Sequence, residues 1–125
     1  MQRRTGIHLT AASILVLAGS LAPAAVQNAV AAEAKSVIEQ GREIAFNRKK
    51  GNCLACHQIE GGTLPGNIGP PLIGMKARFP DKAKLRAQIW DATVNNPNTI
   101  MPPFGRHRIL SEEEIDKVVE FIHSL

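Results

Sequence analysis

Both cysteines of the chain sit with a histidine inside five consecutive residues, Cys53-Leu54-Ala55-Cys56-His57. This constrains the chain more than any other feature, because residues three and four apart share a face of a helical turn, so two sulfurs and an imidazole project together. An exported chain with two cysteines invites a disulfide reading, which the two-residue spacing with an adjacent histidine disfavours. A thioredoxin-like redox pair would want a surrounding βαβ pattern, and a zinc site would want two further ligands. Neither accompanies the motif.

What fits is C-x-x-C-H as a covalent haem attachment site: Cys53 and Cys56 bond the two vinyl groups and His57 ligates the iron. One haem c is therefore expected. A domain this small, with four Phe, one Trp and no Tyr, builds a limited apolar core, and a bound macrocycle supplies the missing mass.

Arg3 and Arg4 precede a nearly uncharged stretch from Ile7 to Leu21, followed by an alanine-rich segment. This pattern predicts a secretory signal peptide over residues 1–32, cleaved near Ala32, and a cytochrome domain over 33–125. The apolar run is shorter than the ~20 residues that span a bilayer, so stable membrane insertion is not expected and the periplasm is. Cleavage would take two arginines and no acidic residue from a net charge of +4. The mildly basic remainder, poor in aromatics, argues against nucleic-acid binding.

A sixth iron ligand is expected from Met101, in Ile100-Met101-Pro102-Pro103-Phe104-Gly105, where prolines stiffen the loop that carries the sulfur. Met75 is expected to fill core or rim space. His107, between two arginines, and His123, at a helix end, are expected at the surface. The carbonyl of Pro70 is placed to accept the free ring N–H of His57, unless Gly69-Pro70-Pro71-Leu72 is an ordinary extended turn.

Elsewhere the periodicity is helical. Val37, Ile38, Gly41, Ile44 and Ala45 predict an amphipathic helix over 36–47, with Gly41 admitting a close neighbour. Four Gly and three Pro between Glu60 and Pro71 predict a loop. Asp81 to Val94 reads as a helix with Leu85, Ile89 and Val94 partly inward and Trp90 packed rather than hydrogen-bonded to haem. Ser111 and Glu114 form a capping box ahead of the Ile115, Val118, Val119 and Ile122 stripe. With no strand expected, the fold class is all-α.

This arrangement resembles the class I cytochrome c fold, in which N- and C-terminal helices cross and flank the haem. Gly51 to His57, Leu64 to Leu72, Gly74 to Pro80 and Met101 to Gly105 are similar to the SoxX family, monohaem subunits of thiosulfate-oxidising SoxAX complexes. The resemblance implies an electron-transfer subunit of an L-cysteine S-thiosulfotransferase, with catalysis on a SoxA-like haem partner. It further implies that thiosulfate is joined to a cysteine of a SoxYZ carrier and that electrons pass to a small cytochrome c. A free-standing electron carrier is the alternative. A haem peroxidase would need an open sixth position.

Overall fold

The computed structural model describes residues 35–125, so the signal segment 1–32 and the exact start of the cytochrome domain lie outside the described residues. Four α-helices follow: α1 (Val37–Phe46), α2 (Met75–Arg78), α3 (Lys82–Trp90) and α4 (Glu112–Ser124), with 3₁₀ turns at Cys53–Ala55 and Ala92–Val94. No strand occurs among the described residues.

Local chemistry starts α1 and α4 in the same way. Ser36 accepts the Glu39 N–H while the Glu39 carboxylate accepts the Ser36 N–H, and Ser111 with Glu114 repeats the pattern. Each reciprocal cap satisfies donors that a helix start leaves unpaired. Three acidic residues in the first turn of α4 also favour its dipole.

The two helices pack directly on one another. Gly41 makes this possible: a Cβ built there would lie 2.0 Å from the Lys117 carbonyl oxygen and 2.9 Å from the Phe121 Cβ. Phe46 and Phe121 then meet edge to face, centroids 5.8 Å apart, a geometry that suits the ring quadrupoles. Ile115, Val118, Val119, Phe121 and Ile122 of α4 are buried in this core with Ala45.

Helix α3 covers another side of α4 through Leu85 and Ile89, both buried. Lys82 pairs with Glu120, and Arg86 with Asp116 and Glu112, along the solvent edge. Such exposed pairs each add only about 0–1 kcal/mol, so the apolar contacts dominate this seam.

Helix α3 ends four residues earlier than the sequence predicts. Asp91 turns to an extended backbone, and its carboxylate accepts the Thr93 N–H at 3.0 Å. That side-chain turn competes with helical hydrogen bonding and starts the separate 3₁₀ turn. Val94 consequently points outward, 78% exposed, not inward.

Glu114 shows how the ends are tuned. Its pairing with Lys50 first, and the Ser111 N–H second, hold its carboxyl below 4.5. A value depressed by folding stabilises the protein above the unfolded value and is lost as pH falls through the folded one. Glu114→Gln is therefore expected to cost about 0.5–1 kcal/mol at neutral pH. In urea titrations across acid pH, that difference should shrink steadily as pH drops below 4.5.

Candidate haem site

The C-x-x-C-H turn is built from the backbone outward. Asn52 adopts the left-handed region, φ 47°, and lets the chain enter the 3₁₀ turn. Ala55 N–H then bonds Asn52, and Cys56 and His57 N–H both bond the Cys53 carbonyl, at 3.2 and 2.9 Å. These bonds hold both sulfurs and the imidazole on one winding.

The glycine- and proline-rich loop is laced to that winding by its own N–H groups. Gly66 bonds Leu54 at 2.7 Å, Gly69 bonds Cys56 at 2.8 Å and Leu72 bonds Gln58 at 2.9 Å. The loop thereby presents its carbonyls to the histidine. His57 Nδ1 lies 2.7 Å from the Pro70 carbonyl oxygen. A carbonyl only accepts, so Nδ1 carries the hydrogen and Nε2 keeps the lone pair that a metal needs. The turn is thus no idle extended segment: it fixes both tautomer and ring orientation.

Two contributors were not foreseen from the sequence. Gly69 lies flush against the imidazole, where a Cβ would come within 2.5 Å of His57 Cε1. Any larger residue would push the ring aside. A glycine immediately before Pro-Pro was the available signal. Arg78 donates to the Pro71 carbonyl at 2.7 Å and so fastens the next residue of the same loop to α2. Nothing local in the sequence announced that contact.

Cys53, Cys56 and His57 open on a cavity of about 570 Å³, whose wall also includes Leu72, Met75, Leu85, Ile89 and Met101. Its size is that of a cofactor pocket. Met75 is 1% exposed and belongs to the core, as expected of a gap-filler. Met101, half-buried, packs against the core from the same cavity, with its N–H on Thr99 Oγ1 at 3.2 Å. Arg48, Lys49 and Arg78 also line the cavity and bring the positive charge that haem carboxylates would meet.

Cys53 and Cys56 form no disulfide with one another. Burial, with Cys56 nearby, pushes the Cys53 thiol up to about 11. Disulfide oxidoreductases depress the attacking thiol instead, so Cys53 shows none of the activation that thiol exchange calls for. Two thiols, one imidazole lone pair and one thioether around a largely apolar cavity do suit haem c.

His107 is exposed, as expected. His123 is not a plain surface residue: half-buried, its Nε2 sits 3.2 Å from the Phe79 carbonyl oxygen and ties α4 to the turn before α3. Neither histidine lines the cavity. Trp90 packs as predicted, its ring facing Gly105 on one side and the Arg86 guanidinium, 5.5 Å from its centroid, on another.

A protein-family model described as cytochrome C oxidase, cbb3-type, subunit III, matches residues 36–122. The chain belongs to this family of c-type cytochromes. Among solved structures, the cytochrome is similar to a chain of the crystal structure of SoxXA from P. pantotrophus. The TM-score is 0.64 at 30% identity, covering 74% of this chain and 83% of that one. It is also 37% identical over 76 residues to an uncharacterized lipoprotein of Aquifex aeolicus (strain VF5); the match takes in 60% of this chain and spans only 37% of that relative's length. The crossing helices, the cavity and these likenesses together make it a class I cytochrome c fold resembling SoxX. No helix among the described residues is long and apolar enough to cross a membrane.

Proposed function

We propose that this cytochrome carries one haem c and serves as the electron-transfer subunit of a SoxAX-type complex, receiving electrons released when thiosulfate is joined to a carrier cysteine. The observation that carries the proposal is the likeness to a SoxXA chain over 83% of that chain's length. The lipoprotein name of the Aquifex relative supports export, and with the signal pattern over 1–32 it supports a periplasmic domain of residues 33–125.

Haem held in this cavity supplies a one-electron couple. Cys53 and Cys56 would tether the ring, and the Pro70 carbonyl holds His57 through Nδ1, leaving the Nε2 lone pair available to iron. Met101 would supply a second ligand to the iron, a thioether, which favours a high potential. With His57 and Met101 both given to the iron, this chain would serve electron passage, and bond-making would belong to the partner.

The test is co-expression with a SoxA-like haem subunit in a host that matures c-type cytochromes. Co-purification of the two chains, with haem reduction on addition of thiosulfate and the SoxYZ carrier, is expected. A monomer that elutes alone and stays oxidised under those conditions would instead identify a free-standing carrier.

A further inference from the structure

Met101 sits on a long loop between α3 and α4, and haem ligation alone leaves unexplained why the base of that loop is so heavily fastened. The residue that ends α3, Asp91, is 6% exposed, the only charged side chain buried in the core region among the described residues. One carboxylate oxygen accepts the N–H and the hydroxyl of Thr93. The other meets Arg106 Nη1 at 2.9 Å, and the same Nη1 donates to Thr93 Oγ1 at 3.3 Å. Arg106 lies fifteen residues on in the same loop, so the pair closes off the segment 92–105 that carries Met101.

The backbone reinforces the junction. Gly105 N–H bonds the Trp90 carbonyl at 3.0 Å, and Gly105 itself is pressed against the Trp90 ring, where a Cβ would lie 2.0 Å from a ring carbon. Residues 92–105 are thus closed into a loop with Met101 in its far half, and Thr99 Oγ1 steadies Met101 locally. None of these groups lines the haem cavity except Thr99 and Met101.

We propose that Asp91 and Arg106 are positioning residues for Met101: their ion pair closes the base of the methionine loop and sets how firmly the thioether competes with other ligands for the iron. The proposal rests on the reading of Met101 as the sixth ligand. A loop whose ends are pinned loses fewer conformations when its sulfur binds, so the pair lowers the entropy cost of ligation. Removing Arg106 would leave the buried Asp91 carboxylate without its cation, so the loop base loosens when the pair is broken.

Imidazole, a ligand that displaces thioethers from haem iron, is the probe. It is titrated into the oxidised holoprotein while the sulfur-to-iron charge-transfer absorption is followed. Arg106→Gln and Asp91→Asn are expected to raise imidazole affinity by about fivefold to tenfold. Arg106→Lys, which keeps the charge, should recover part of the difference. Arg106 is half exposed, so its variants fold even if Asp91→Asn does not. Ser36→Ala, which removes the reciprocal cap of α1 and touches no residue of the loop, should lower thermal stability and leave imidazole affinity unchanged. Were Arg106→Gln to behave like Ser36→Ala, the pair would be structural only and the proposal overturned. A wild-type holoprotein lacking the charge-transfer absorption would overturn the Met101 reading and the proposal with it.

Discussion

Met101→Ala is expected to lower the reduction potential of the holoprotein by on the order of 0.1–0.3 V, part of the ~0.8 V range that axial ligands command. The thioether favours ferrous iron, and its loss leaves water or an added base to take the position. The decisive comparison is Met75→Ala. Met75 lines the same cavity but is buried at 1% exposure, with its sulfur 3.4 Å from Arg78 Nη1. Deleting that side chain should cost about 2–5 kcal/mol of stability through the space it leaves. The potential should barely move. Equilibrium redox titration and urea unfolding of both variants separate the two methionines. If Met75→Ala shifted the potential more than Met101→Ala, the ligand assignment would be reversed.

The second large effect belongs to the helix crossing. Gly41→Leu should destabilise the fold by at least about 3 kcal/mol, a large share of the about 5–15 kcal/mol that holds a typical domain folded. Helix propensity alone argues the other way, since leaving glycine in a helix interior gains about 0.5–1 kcal/mol. Packing overrides it, because the new Cβ would sit 2.0 Å from the Lys117 backbone carbonyl, which no side-chain rotation can move. Helices α1 and α4 would have to separate, taking apart the Phe46–Phe121 contact and the burial of Ala45. Chemical denaturation of wild type and variant reads this directly. A variant as stable as wild type would show that the crossing tolerates displacement.

What was legible beforehand was mostly what is local. Ser36 with Glu39 and Ser111 with Glu114 cap helices through contacts three residues apart, so sequence spacing states them outright. Cys53, Cys56 and His57 share one turn for the same reason, and the α4 stripe follows from its period. Gly41 was readable as a close approach, though not its partner Lys117. The miss at Asp91 is instructive: apolar spacing carried the helix to Val94, but a side-chain turn to Thr93 outcompeted helical pairing at a single residue. Gly69 against His57, Arg78 on Pro71 and His123 on Phe79 join residues from 7 to 44 positions apart. Contacts of that range depend on the folded path of the chain, which no local pattern encodes.

Covalent attachment of haem through Cys53 and Cys56 is tested most directly by the mass of the intact mature chain. The protein would be secreted from a host able to attach haem, then denatured and treated with acid acetone before weighing. A polypeptide heavier by one haem, with its colour retained, is predicted, and the Cys53→Ala/Cys56→Ala variant should emerge at the bare polypeptide mass. Extraction of the pigment from the wild-type chain, or a wild-type mass without haem, would contradict the account.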